Sequence, residues 1–274
     1  MSDSDRHFSR LVEALRPWLG QIILVGGWAH QLYRLRPEAS SLSYPVLRTD
    51  DADLALDPRS FKKSENMRVR LLELGFAEDM SGDDRPPVTH YVPSASGAGF
   101  YAEFLTPLVG GEYSRSGSRQ VTERVAGVVA QKLRYLEVLI VDPWTVTVDS
   151  ASGFDLPKPA TVLVANPCSY LVHKLLIHDR RKAEDQAKDA LYIHDTIELF
   201  GSSLATLEKI WSESIESTLS SRAQRHLFAQ VKLLFGSVND TLRDAARMAT
   251  GRRLSPAEIQ ARCEAGLQVI LRSH

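Results

Sequence analysis

The chain has 274 residues, with 33 Lys and Arg against 34 Asp and Glu, a formal net charge of -1, and 43% hydrophobic residues. This composition excludes a disordered, fibrous or collagen-like chain and leaves enough apolar surface for one or two cores. The near-zero net charge excludes a global electrostatic pull toward nucleic acid, while leaving room for a local basic patch.

Two cysteines, Cys168 and Cys263, match no zinc or disulfide spacing and fit a reduced, cytoplasmic setting. The first residues, MSDSDRHFSRLVEALRPW, have an acidic start and no continuous apolar core, so they do not read as a signal peptide. No apolar run approaches the ~18 residues of a membrane span. The expectation is a cytoplasmic protein with no membrane partner.

Apolar spacing at Phe8, Leu11, Val12 and Leu15 predicts a helix over 8–18, and the short run Ile22–Val25 a buried strand ending at Gly26. A helix is expected over 28–35 and a Pro/Ser-rich loop over 36–47. Residues 51–56, DADLAL, alternate acidic and apolar side chains, the mark of a strand with one polar face. A helix over 64–74 stops at Gly75. A turn over 82–87, strands over 88–93 and 100–105, and a loop over 110–117 holding Tyr113 and Arg115 follow.

The stretch 121–140 is ambiguous, with a helix favoured over its second half through Leu133, Leu136 and Ile140. Strands are expected over 145–148 and 161–164. From Asn166 onward the pattern becomes helical, over 167–182, 187–200, 204–214 and 221–235. A capping box, Ser255-Pro256-Ala257-Glu258, opens the last helix. The expected fold class is α+β: a small mixed sheet flanked by helices over residues 1–165, then an all-helical domain over 166–274.

Asp51 and Asp53 carry the chemistry. Residues two apart in a strand point to one face, so the two carboxylates stand side by side, where they repel unless a cation lies between them. Upstream, Gly26 and Gly27 separate a strand from a helix, a junction whose backbone N–H groups suit an anion. Glu103, in FYAEFL, is a lone carboxylate among aromatic and apolar neighbours that needs a partner. The bland alternatives are a solvated edge strand for the aspartates and an ion pair with an arginine for Glu103.

On the helix after Ala165, Lys174, His178 and Arg181 are spaced by four and three and line up. Either they face an anion, or they are a solvated basic helix end. His30 reads as a partly buried structural histidine and Trp28 as core. His173, His178 and His194 lack a zinc constellation.

These residues carry a resemblance. A glycine turn, a helix, the DxD strand and a third carboxylate on a later strand resemble the nucleotidyltransferase fold of the DNA polymerase beta superfamily. VGGWA followed by TDDADL is similar to the GGW and DxD pattern of the small antibiotic nucleotidyltransferases. The segment ANPCSYLVHKLLIHDRRKAEDQAKDALYIHDTIEL is similar to the helical part of AbiEii-like and MenT-like toxin nucleotidyltransferases, with Lys174, Lys188, Asp189 and Asp195 at their motif positions.

The resemblance implies transfer of a nucleoside monophosphate from an NTP, with Mg2+ or Mn2+ held by Asp51, Asp53 and Glu103. Glu103 is alternatively the base on the acceptor hydroxyl. Gly26, Gly27, Arg48, Thr49 and Lys174 are the implied nucleotide contacts, with Arg181 and Lys182 toward a polyanionic acceptor. The implied acceptor is an RNA such as tRNA, a protein side chain or a small hydroxylated molecule, and an antitoxin is an implied partner. Many superfamily members have serine after the first glycine of the turn, where this chain has Gly27. The alternative is therefore a catalytically silent module of the same fold that binds nucleotide or serves in a toxin–antitoxin pair. A metal-dependent nuclease ranks last, because hydrolysis does not require the glycine turn.

Overall fold

The computed structural model describes residues 2–62, 66–94, 99–113 and 120–272. The chain divides into two compact units, one of residues 1–29 and 48–165, the other of 30–47 and 166–274. No helix among the described residues is long and apolar enough to cross a membrane.

The first unit opens with helix α1 (Asp3–Ala14), started by a capping box in which Ser2 accepts from the Asp5 amide and the Asp5 carboxylate returns the bond to the Ser2 N–H. Strand β1 (Ile22–Val25) is buried at every position, as a central strand must be when both sheet faces are covered. Helix α2 (Gly26–Tyr33) begins directly at the glycine turn and crosses the division between units at Ala29. Then come β2 (Asp51–Leu56), α3 (Met67–Glu73), β3 (Phe76–Ser81), β4 (Val88–Pro93), β5 (Tyr101–Pro107), β6 (Thr122–Val125), β7 (Val128–Leu133), α4 (Leu136–Leu139), β8 (Trp144–Val148) and β9 (Ala160–Val164).

Among the described residues the sheet is nine-stranded and mixed, in the order β3-β4-β5-β2-β1-β9-β8. β2 is antiparallel to β1 and parallel to β5. Along its other edge β5 pairs first with β4, at His90↔Glu103 and Tyr91↔Ala102, and then with β7 from Phe104↔Ala130 onward. β6 closes the edge as an antiparallel partner of β7.

The two faces of the central strands differ. Ile22, Leu24 and Leu54 point to one face, where Phe8, Leu11, Val12 and Leu15 of α1 pack against them. Trp28 is fully buried in the same unit, stacked on Phe8 at 3.9 Å between ring centroids. The opposite face is split along its length. Ile23, Val25, Ala55 and Leu105 cluster with Leu136 and Leu139 of α4 and with Ala165. The rows next to them on that same face carry Asp53 beside Val25 and Glu103 beside Asp53.

In this unit the sequence reading changes at three places. Residues 76–81, unassigned from the sequence, form β3. The stretch 121–140 is a β-hairpin followed by one helical turn rather than a helix over its second half. Helix α3 starts at Met67, capped by the Asn66 side chain, while Ser64 lies outside the described residues. So does Arg115 of the expected 110–117 loop.

The second unit contains α5 (Pro167–Ile177), α6 (Ala183–Leu199), α7 (Leu204–Ile210), α8 (Ser221–Phe235), α9 (Asp240–Met248) and α10 (Pro256–Ile270). Asn166 caps α5 by accepting from the Ser169 amide at 2.8 Å, with Pro167 in the first turn, where its missing N–H costs nothing. α5 ends at Ile177 in a 3-10 turn, five residues short of the expected 182. The capping box at Ser255 and Glu258 opens α10 as expected. Gly266 of α10 lies against Ile197 of α6, where a Cβ would come within 2.5 Å of a methyl group, so only glycine allows this approach.

His30 is fully buried in this unit, and neither ring nitrogen has a hydrogen-bond partner among the described residues. Its ring lies 4.9 Å from that of Tyr192. Burial pulls its pKa down to about 4, with Lys174 and Arg252 adding to the fall and Asp195 opposing it. A depressed histidine stays neutral while the unfolded chain takes up a proton below about pH 6.5, so stability falls as pH drops from there toward 4. Between pH 6.5 and 5 this one group removes roughly 2 kcal/mol. Urea midpoints should fall over that interval in the wild type and fall distinctly less in His30→Phe. Equal slopes in the two would reject the assignment.

Candidate active site

The register places the three acidic side chains. Asp51 and Asp53 share a face of β2 by alternation, and Asp53 pairs with Glu103 across the parallel β2–β5 ladder, so all three carboxylates lie on one face of the sheet. Tyr101, paired with Asp51, stands among them. Burial first, then the charges of Asp51, Glu103 and Asp53, push its phenol well above the usual range.

The glycine turn borders the same row. Val25 pairs with Asp53, so the chain leaving β1 passes directly over that carboxylate. Gly26 has φ +61, and a Cβ there would fall 1.7 Å from Asp53 Oδ2. Two separate constraints therefore demand glycine: the left-handed backbone and the contact with the carboxylate. Gly26→Ala should cost about 1–2 kcal/mol in backbone strain alone and displace Asp53. The expected result is a folded but less stable protein that has lost divalent-cation binding, read by urea titration and Mn2+ binding. Unchanged Mn2+ affinity would reject the link between turn and carboxylate.

Glu103 has partners on the two strands, β4 and β7, that share one edge of its own. Gln131 Nε2 of β7 donates to Glu103 Oε2 at 2.7 Å, and His90 Nε2 of β4 lies 3.4 Å from the same oxygen. The contact with Glu103 raises the His90 pKa above its ordinary value, against the opposing effect of burial. The His90 ring also stacks on Tyr101, 4.6 Å between centroids.

Among the other expected residues, Gly27 lies in the first turn of α2. Thr49 is buried just before β2. Arg48 is exposed, with Nη1 3.7 Å from Asp5 Oδ2. Lys174 belongs to the second unit and is buried rather than solvated. Its Nζ lies 2.5 Å from Asp189 Oδ1 and 4.9 Å from the centroid of the Tyr192 ring. Arg181 reaches the other Asp189 oxygen at 3.4 Å and Asp185 at 3.6 Å. Lys188 lies over Tyr192, while Asp195 holds Arg252 at 2.5 Å and His194 at 2.9 Å.

Sequence reasoning did not name His90, Tyr101 or Gln131 as site residues. The alternation in VTHYVP and FYAEFL puts His90 and Tyr101 on strand faces, while Gln131 lies in the ambiguous 121–140 stretch, and only the register of three strands brings them to one carboxylate.

Magnesium takes hard oxygen ligands, commonly one or two carboxylates plus substrate phosphates. Among the described residues no group of three His, Cys, Asp or Glu side chains is gathered to hold a metal ion. The Asp51 and Asp53 pair nonetheless supplies the two carboxylates that such a phosphate-completed site requires.

The site thus combines a carboxylate pair on a central strand, a third carboxylate beside it, and a glycine turn opening a helix. The nucleotidyltransferase family model matches residues 7–216, and the chain belongs to that family. Among solved structures, it is similar to an antigenic nucleotidyltransferase-like protein from Paracoccidioides brasiliensis, with 16% identity, a TM-score of 0.37, and 83% of this chain and 94% of that one covered. It is also similar to MenT4, a nucleotidyltransferase toxin of Mycobacterium tuberculosis H37Rv, with 14% identity, a TM-score of 0.30, and 98% and 85% covered. No curated protein matches the chain.

Proposed function

We propose that this protein transfers a nucleoside monophosphate from an NTP to an acceptor hydroxyl, with Mg2+ or Mn2+ held by Asp51 and Asp53. The observation that supports this most directly is the shared sheet face of Asp51, Asp53 and Glu103, with the backbone of Gly26 turned against Asp53. When bound, the ion supplies neutralising charge for the triphosphate and the departing pyrophosphate.

The chain's own residues do the rest. The N–H groups of the Gly26–Gly27 turn and the helix start favour the anionic phosphates. Arg48 and Thr49, just before β2, are the proposed side-chain contacts to them. The Ala55 and Leu105 row next to the carboxylates on that face is buried. In that setting charge interactions are stronger than in bulk water. Glu103 takes the proton of the acceptor hydroxyl. An RNA such as tRNA, a protein or a small molecule would supply that hydroxyl, and an antitoxin is the regulatory partner this reading would take.

The test is pyrophosphate release from each of the four NTPs in turn with Mg2+ or Mn2+. The expected result is release with at least one NTP, lost in the Asp51→Asn/Asp53→Asn double variant. Undiminished release by the double variant would end the mechanism. Nucleotide binding without release would establish the silent module instead.

A further inference from the structure

We propose that His90, together with Gln131, is a positioning residue that aims Glu103 at the acceptor hydroxyl. The proposal rests on the transferase reading above and deepens it. Glu103 sits where β5 changes neighbour along one edge, from β4 to β7. Each of those strands places one side chain on the carboxylate face at that point. Gln131 donates from β7 at 2.7 Å, and His90 Nε2 of β4 stands 3.4 Å away, both toward Oε2.

The imidazole is itself held in place. Its ring stacks on Tyr101, and Tyr101 is the β5 partner of Asp51. Position is thus carried from the aspartate strand through Tyr101 to His90 and back to Glu103. All of this is built on strands, which hold a side chain more tightly than loops do.

With Gln131 donating to Oε2 and the His90 ring edge facing the same oxygen, the orientation of the carboxylate is fixed. Asp51 and Asp53 already supply the one or two carboxylates that magnesium commonly takes. A fixed carboxylate beside them is placed for the other task. The acceptor O–H proton passes to Glu103, and the oxygen pair so released forms the bond to the α-phosphorus. The bond from the α-phosphorus to the bridging oxygen breaks, and pyrophosphate leaves with that electron pair. Orientation of the base governs the rate of such a step, and a misplacement of about 1 Å costs up to roughly a hundredfold.

The full-length protein is assayed for pyrophosphate release from each NTP with Mg2+, using bulk tRNA, casein and kanamycin in turn as hydroxyl donors. In His90→Leu, kcat should fall roughly ten- to a hundredfold while the KM for the NTP stays within about twofold, because the cation site is untouched. His90→Gln, whose amide nitrogen reaches the place of Nε2, should recover most of the loss. Full activity in His90→Leu, a KM that rises in step with the fall in kcat, or a His90→Gln no better than leucine would each overturn the proposal.

A second measurement does not need turnover. The 15N resonance of His90 Nε2 should move in Glu103→Gln, and an unmoved resonance would overturn the contact itself. A wild type that releases pyrophosphate with none of these donors removes the transferase reading, and this role with it. An active wild type with an indifferent His90→Leu removes the role alone.

Discussion

Asp51→Asn should abolish pyrophosphate release, by on the order of a thousandfold or more, while leaving the fold intact. Replacing the carboxylate by an amide keeps the shape and removes the charge. Loss of metal-assisted stabilisation worth several kcal/mol corresponds to this factor at 1.36 kcal/mol per tenfold. The fold should hold because Asp51 is half-buried at the start of its strand and sits two residues from Asp53, a like charge on the same face. Without a cation that pair is repulsive, so removing one charge relieves rather than strains the sheet. The urea midpoint of Asp51→Asn should therefore equal or exceed that of the wild type when Mg2+ is absent. A loss of activity that tracks a loss of stability would mean that the residue is structural and not a ligand.

Lys174→Met should be the most destabilising single change considered, at about 3–5 kcal/mol. Lys174 and Asp189 form an ion pair in which the carboxylate side chain is 1% and the lysine side chain 11% exposed. Removing the lysine strands a charge that water cannot reach, and Arg181, more exposed and 3.4 Å from the second oxygen, is left as a partial substitute. A buried pair taken out whole is often neutral, because the cost of desolvating two charges disappears with it. Lys174→Met/Asp189→Leu should thus recover most of the lost stability. Chemical denaturation of the two variants decides the matter. A single variant within about 1 kcal/mol of wild type would show that the pair is screened like a surface ion pair.

The glycine turn and the DADLAL strand were legible because their signals are local: two glycines after four apolar residues, and acidic residues alternating with apolar ones at the start of the strand. Asn166-Pro167 and Ser255-Pro256-Ala257-Glu258 were legible for the same reason, since a cap is written in adjacent residues. The hairpin of β6 and β7 was not. Its turn is Ala126-Gly127, both at positive φ, and alanine rarely adopts that conformation, so the Asn-Gly or Asp-Gly signal was missing. The helical spacing at Leu133, Leu136 and Ile140 then favoured a helix over the second half of the stretch.

Register was the second barrier. His90 and Gln131 reach Glu103 only because β4 and β7 share an edge of β5, and no single-strand pattern encodes that. The Lys174 face shows the same blindness in helices. Spacing lined up the cations, but the carboxylate that buries one of them lies 15 residues on, in the next helix.

The β3–β4 hairpin meets β5 at His90 and Tyr91, and the first of these also grips the third carboxylate. On the proposed reading, one residue of the seam that fastens the ribbon is thus also one of the two that aim the reactive group. Selection or engineering that tightens the ribbon through that position disturbs the aim, and selection for a different aim loosens the ribbon. Variation in either property has its freedom elsewhere, in Tyr91 for anchorage and in Gln131 for orientation.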